Sequence, residues 1–246
     1  MKHPFWLTFL LYILITCGLH AQNPDHSGKS FSTDTITLHS EIFSENWTIL
    51  IFRPEGITSS DTVSVLFMPD GEFSAFRFGQ IDSLKGCQII GVGIVNTNRR
   101  RDLLPVNQAD RFSDFIEKEL IPKIEGRFTV QKRILFGHSF GGAFTLYIMI
   151  NKPGLFDLYI ASSPTPIMNL VDTTLYLQLD NELTTDINLF LSYGSRDMRQ
   201  VKKWTARLIR NLSSTDLHRI HWTDRVFEGE NHNTSDSKAI QNVVKY

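Results

Sequence analysis

The sequence predicts an α/β fold with a mainly parallel, doubly wound sheet and helices on both faces. Residues 63–68 and 88–95 are near-continuous apolar runs, which is typical of parallel strands that are covered on both faces. Strand patterns then alternate with helical patterns to the end of the chain, as in repeated β-α units. At 246 residues, 41% of them hydrophobic, the chain can bury one large core.

The individual elements follow from two periodicities, alternation for strands and a repeat of three to four residues for helices. Two short strands open the chain as an antiparallel pair, and each later apolar strand is followed by a helix. The predicted strands are 35–38, 47–52, 63–68, 88–95, a strand ending at 160–164, 187–193 and 220–227. The predicted helices pass through 73–81, 110–128, 143–150, 201–212 and 237–244.

A five-residue motif predicts the catalytic nucleophile. Residues 137–141 read Gly-His-Ser-Phe-Gly and lie between an apolar strand pattern and an apolar helix pattern. In that context G-x-S-x-G is the nucleophile elbow of an α/β-hydrolase, in which a strained strand-to-helix turn exposes the serine hydroxyl. The glycines are needed because side chains two residues from Ser139 would collide with the neighbouring backbone. We therefore predict that Ser139 is the nucleophile.

The partners of the serine should follow later strands, because the site in such sheets lies at their carboxyl ends. The chain order expected for this fold is serine, acid, histidine. Asp197 follows the strand that ends at Tyr193, and His232 follows the last strand. His232 is predicted to be the general base, and Asp197 is predicted to orient its imidazole. Glu230 is an alternative acid, and a serine-histidine dyad is another.

Acyl transfer also requires N–H donors for the oxyanion. One is expected from the residue after the nucleophile, Phe140. The second is expected in the loop after strand 63–68, where Glu72 is the first choice and Gly71 the second. His138 is expected to be a packing residue whose ring points away from the serine hydroxyl.

Composition excludes some partners. A formal net charge of −1 provides no general basic field, so nucleic acid is not an expected partner. The sequence contains no cofactor motif and no convergent set of metal ligands, so neither a cofactor nor a metal is expected. The ligand should be a small-molecule ester, and the oligomeric state is left open.

The N-terminus is predicted to be a signal peptide, residues 1–21, followed by one domain, residues 22–246. Lys2 precedes an apolar run, and Ala21 provides a small residue for cleavage before Gln22. The run of about 15 residues is short for a membrane span, which needs about 20, so no stable span is expected in the mature form. The chain should therefore be exported to the periplasm or the extracellular space. A lipid anchor at Cys17 is the alternative.

Four segments together resemble the putative-esterase family of α/β-hydrolases, which includes esterase D, the mycolyltransferases and the enterochelin-type siderophore esterases. The segments are 68–73, 93–105, 137–142 and 229–232. The Arg-x-Arg-Asp-Leu-x-Pro stretch within 99–105 is most similar to the siderophore esterases. The resemblance extends from about Phe43 to the C-terminus and is specific for fold and serine-esterase chemistry.

The resemblance implies the same nucleophile, base and oxyanion donors. It also implies that Arg99 and Arg101 hold an acidic catechol, because an arginine occupies that stretch in the siderophore group. Their planar forks suit anionic oxygen. The alternative is that they pair with Asp102 and Asp110 to stabilise the loop. Glu72 departs from the family pattern because it puts a carboxylate beside the expected oxyanion hole.

Three functions are compatible with these residues. The first is hydrolysis of carboxylic esters, either siderophore lactones or acyl and feruloyl esters of carbohydrates. The second is acyl transfer to another alcohol, and the third is a non-catalytic binding protein that retains the fold. The segment 164–186 is predicted to form a small helical rim over Ser139 whose apolar side chains accept the acyl group.

Overall fold

The computed structural model describes residues 31–81, 88–95 and 98–241. Eight strands form one sheet in the order β1-β2-β4-β3-β5-β6-β7-β8. Their bounds are β1 Phe31–Ser40, β2 Glu45–Pro54, β3 Thr62–Pro69, β4 Ile89–Val95, β5 Thr129–His138, β6 Leu158–Ser162, β7 Ile187–Gly194 and β8 Ile220–Phe227. The pairs β1-β2 and β2-β4 are antiparallel and the other five pairs are parallel. The predicted mainly parallel α/β-hydrolase fold is thus confirmed.

The helices alternate with the strands. Their bounds are α1 Ser74–Gly79, α2 Arg99–Leu103, α3 Ala109–Phe115, α4 Ile121–Glu125, α5 Phe140–Asn151, α6 Thr173–Glu182, α7 Arg199–Ser213 and α8 Ser235–Ile240. A π-helical turn, Ile116–Leu120, joins α3 to α4, so the predicted helix at 110–128 is one continuous helical stretch. The predicted closing helix at 237–244 begins earlier, at Ser235, because the Ser235 N–H donates to Asn231 O and the turn winds directly out of the preceding loop.

Two apolar clusters cover the two faces of the sheet. Alternate residues of β3 show the division, since Val65 and Phe67 belong to the larger cluster and Leu66 and Met68 to the smaller one. The larger cluster includes α3, α5, α6 and α7, whereas the smaller includes α1 and α8. Helices therefore lie on both faces, as predicted for a doubly wound sheet.

The predicted rim at 164–186 has a different role from the expected one. It contains the 3-10 turn Met168–Val171 and helix α6. Leu170, Tyr176 and Leu179 are buried in the main core, and the Tyr176 hydroxyl donates to Leu170 O. Met168 and Leu177 are exposed. The prediction that these side chains line the acyl pocket was wrong, because α6 packs against α5 and α7 and no residue of 164–186 lines the pocket at Ser139.

The predicted signal peptide and Cys17 lie outside the described residues. Over the three described ranges, no helix combines the length and the apolar character that a membrane crossing requires.

Candidate active site

Ser139 occupies a strained turn between β5 and α5. Its backbone has φ 58° and ψ −114°, which is unusual for a residue with a Cβ and typical of a nucleophile elbow. A Cβ at Gly137 would lie 2.0 Å from the carbonyl oxygen of Gly141, so only glycine fits there. The turn is held to the neighbouring strand because Ser139 N–H donates to Ser162 O over 3.0 Å.

His232 and Asp197 reach the same edge of the sheet from the loops after β8 and β7. Ser139 Oγ lies 3.0 Å from His232 Nε2, and His232 Nδ1 lies 2.8 Å from Asp197 Oδ1. The structure thus brings the three predicted residues into one hydrogen-bonded line. Glu230 has no such contact; its backbone carbonyl accepts from Arg196 N–H.

Asp197 is an acceptor surrounded by donors. Its side chain is fully buried, and burial raises the pKa of a carboxyl group, but His232, Ser163 and the Met198 N–H lower it by hydrogen bonding. The net effect is a pKa below the usual value. Asp197 is therefore ionised at neutral pH and can hold the imidazole with Nδ1 protonated.

His138 forms a hydrogen bond to the backbone of His232. Its Nε2–H donates to the backbone carbonyl of His232 over 2.7 Å, and the two rings lie 4.7 Å apart. Because a carbonyl only accepts, Nε2 carries the proton in this bond, and the pKa that burial lowers keeps the ring neutral. His138 thus contacts the backbone of the His232 loop and not the serine hydroxyl.

The two predicted oxyanion donors, Phe140 and Glu72, both lie in the first turn of a helical segment. Phe140 opens α5, where the first amides have no acceptor within the helix. Glu72 lies in the 3-10 turn Gly71–Phe73. A Cβ at Gly71 would lie 2.6 Å from the backbone of Ile94, so glycine lets this turn sit directly on the end of β4.

The Glu72 carboxylate lies close to this turn. Burial is the largest effect on its pKa and raises it, and the charge of Asp70 raises it further. A hydrogen bond from its own backbone N–H lowers the pKa. The carboxylate of Glu72 therefore competes with an oxyanion for the amide that is expected to bind it.

The two arginines have different environments. Arg99 lies at the pocket and pairs with Asp70 through both Nε and Nη2. Arg101 instead bonds to Glu45 and Asp102, and hydrogen bonding to Glu45 is the main effect that raises its pKa. Arg101 is absent from the pocket lining, so the geometry favours the alternative, a loop-stabilising ion pair, for this residue.

A pocket of about 320 Å³ opens onto the serine. Besides Ser139 and His232 it is lined by Phe73, Phe76 and Arg77, none of which was predicted as a site residue. Both phenylalanines are exposed, 55% and 41% respectively. Phe73 and Phe76 are three residues apart, the spacing of one helix face, and this signal beside the Asp-Gly turn could have identified them.

Arg77 forms a buried ion pair at the base of this pocket. Its Nε donates to Asp236 Oδ2 over 3.1 Å, which ties α1 to α8 close to the His232 loop. Larger pockets lie away from the serine, including one beside α7 and β8. Across the described ranges, no three His, Cys, Asp or Glu side chains converge as metal ligands.

The family comparison agrees with this geometry. The model of the Esterase family, described as Putative esterase, matches residues 40–239. The chain belongs to this family. Its curated relatives include ferri-bacillibactin esterase BesA of Bacillus subtilis (strain 168), which is 31% identical over 133 residues, 50% of this chain and 46% of that protein. The siderophore triacetylfusarinine C esterase of Aspergillus fumigatus is 43% identical over 60 residues, 23% of this chain and 20% of that protein. The chain thus spans less than half the length of these curated relatives.

Solved structures agree on the fold. The BES protein from Bacillus cereus has a TM-score of 0.73 at 25% identity, and the match covers 85% of this chain and 93% of that chain. The enterobactin and salmochelin hydrolase IroE has a TM-score of 0.65 at 18% identity over 88% of this chain and 96% of its own. At that identity the second likeness concerns the fold alone.

Proposed function

We propose that the protein is an exported serine esterase that hydrolyses carboxylic esters through Ser139, His232 and Asp197. The observation that carries the proposal is the continuous hydrogen-bonded line from Ser139 Oγ through both His232 nitrogens to Asp197. Family membership over residues 40–239 supports ester hydrolysis as the reaction class.

In the proposed mechanism Ser139 Oγ attacks the ester carbonyl carbon while His232 Nε2 takes the hydroxyl proton. The carbonyl oxygen becomes an oxyanion, and the N–H groups of Phe140 and Glu72 stabilise it. When the intermediate collapses, the C–O bond to the alcohol breaks and His232 returns its proton to that leaving oxygen. Water then attacks the acyl-serine by the same route, which releases the acid and restores Ser139.

The pocket chemistry supports esters with an aromatic acyl group. Phe73 and Phe76 offer ring surface beside the nucleophile, and aromatic rings pair favourably edge to face or offset. The Arg99 guanidinium lies 5.5 Å from the Phe140 ring and faces the same pocket. Since one curated relative is named as a siderophore esterase and another as a ferri-bacillibactin esterase, aryl siderophore lactones are the first substrate class to test, and feruloyl esters are the second.

The direct test is hydrolysis by the chain from Gln22 onwards. Short nitrophenyl esters, a feruloyl ester and a catechol trilactone are compared, with Ser139→Ala in parallel and a fluorophosphonate probe for the serine. Turnover and labelling that both vanish in Ser139→Ala would support the esterase. Transfer to an added alcohol in preference to water would favour the acyltransferase, whereas no turnover and no labelling would favour the binding protein.

The role of Asp197 is tested by Asp197→Asn. Loss of the carboxylate favours the wrong imidazole tautomer, so kcat should fall by about 10⁴-fold. A near-normal kcat would instead indicate a serine-histidine dyad.

Export is tested on the full chain. After expression in a bacterium, mass spectrometry of the mature protein should find Gln22 as the first residue. An acylated Cys17 at the N-terminus would support the lipid anchor, and an intact Met1 would refute export.

A further inference from the structure

Two buried hydroxyl groups stand behind Asp197. Ser163 Oγ lies 2.5 Å from Asp197 Oδ2, and Ser235 Oγ lies 2.7 Å from Ser163 Oγ. Both serines are fully buried. Ser163 directly follows β6, whereas Ser235 opens α8 three residues after His232. The loops that carry the acid and the base are therefore joined behind the reacting atoms as well as through the imidazole.

The available hydroxyl protons determine which group donates and which accepts in this series of hydrogen bonds. An ionised carboxylate only accepts, so the single Ser163 proton is donated to Asp197. The lone pairs of Ser163 then accept the Ser235 proton. Ser235 has an alternative acceptor in His232 O, but at 3.4 Å that contact is much longer than the 2.7 Å to Ser163 Oγ, so the bond to Ser163 is favoured. The donors thus run from Ser235 through Ser163 to Asp197.

The backbone of Ser163 indicates that its side chain matters. Its φ is +46°, a left-handed conformation that glycine adopts without strain and serine does not. Strain of this kind persists where the surrounding structure enforces it, commonly at functional sites. Here a serine retains a hydroxyl where glycine would relieve the strain, and that hydroxyl contacts the triad acid.

The carboxylate needs this donor because no fixed cation balances it. Among the described residues, no lysine or arginine lies within ion-pair distance of Asp197; its ion-pair partner there is His232. The charges of the nearby ion pair, Arg77 from α1 and Asp236 from α8, affect the pKa of His138 instead. A buried charge without a fixed counter-ion depends on its hydrogen bonds.

We propose that Ser163, supported by Ser235, is a positioning residue that keeps Asp197 ionised and aimed at His232. The proposal rests on the esterase function and triad proposed above. Ser163 acts through Asp197 and never touches the substrate. When Ser139 transfers its proton to His232, the carboxylate that faces the new imidazolium is then already held in place.

The experiment compares Ser163→Ala, Ser163→Gly and Ser235→Ala with a matched control. The control is Ser162→Ala, because the buried Ser162 hydroxyl has no hydrogen-bond partner among the described residues. The rate constant of fluorophosphonate labelling is measured across pH, which requires no knowledge of the substrate. The pKa of Asp197 is measured by carbon-13 NMR titration of its carboxyl group, which requires no activity at all.

Ser163→Ala should slow labelling by about 10- to 100-fold, as expected for loss of a hydrogen bond to a charged group. The pKa of Asp197 should rise by about one unit or more in the same variant. Ser163→Gly should show the same two changes although it relieves the strained φ. Ser235→Ala should show both in smaller measure, and Ser162→Ala should match the wild type.

Two results would overturn the proposal. If Ser163→Gly labels at the wild-type rate with an unchanged Asp197 titration, the position matters only for its backbone. If both Ser163 variants leave the pKa of Asp197 unchanged, the hydroxyl does not hold the carboxylate. Failure of the esterase proposal is distinguishable, because the wild type would then not be labelled, whereas the NMR titration would still decide the role of Ser163.

Discussion

His138 should make the free energy of unfolding depend on pH, and His138→Gln should remove this dependence. Burial lowers the pKa of this imidazole from 6.5 to about 4, the charge of Arg77 lowers it further, and the charge of Asp236 opposes them. The hydrogen bond to His232 O raises the pKa but does not outweigh burial. The folded protein therefore keeps His138 neutral where the unfolded chain would protonate it.

The sign follows from linkage. Above pH 6.5 the residue is neutral in both states, so it causes no loss of stability. As the pH falls towards 4, protonation stabilises only the unfolded chain, and the free energy of unfolding decreases. The difference between 6.5 and about 4 corresponds to a loss of about 3 kcal/mol, with about 2 kcal/mol already lost by pH 5.

The assay is urea unfolding of the wild type and His138→Gln between pH 4.5 and 8. Glutamine does not titrate, and its amide can still donate to His232 O. Every other titrating group is shared, so the difference between the two free energies of unfolding isolates His138. The wild type should lose about 2 kcal/mol relative to the variant between pH 7.5 and pH 5. A difference that stays constant over this range would refute the reasoning.

Three further substitutions test other parts of the site. Glu72→Gln removes the carboxylate that competes for the oxyanion amide, so kcat/KM for an anionic ester relative to its neutral isostere should rise about five-fold at pH 7; an unchanged ratio would contradict this. Phe73→Ala should raise KM for aromatic acyl esters about three- to ten-fold because a ring contact is lost, whereas acetyl esters, as the internal control, should be unaffected. Gly137→Ala should cost about 3 kcal/mol or more, because its Cβ would lie 2.0 Å from backbone. Gly126→Ala should cost far less, since φ there is −69°; equal melting temperatures for the two variants would argue against the elbow geometry.

Most of the fold could be predicted from local patterns in the sequence. The apolar runs that became β3 and β4 are buried on both faces, and burial of that kind leaves a continuous sequence signal. The nucleophile elbow could be predicted equally well, because the residues that its tight turn requires lie close together in the chain. The rim at 164–186 was misread because composition shows that Tyr176 and Leu170 are apolar but not which surface buries them.

The sequence by itself determined the sheet, the turn that exposes Ser139, and the loops that carry His232 and Asp197, since these depend on local propensity and on the order of strands. Only the tertiary structure shows that Asp197 lies within hydrogen-bond distance of His232, because that contact is a distance between two loops. It also decided that Arg101 pairs with Glu45, 56 positions away in the chain, and that Ser163 lies against Asp197. Such contacts form when distant segments pack against one another, and no periodicity or motif in the chain encodes them.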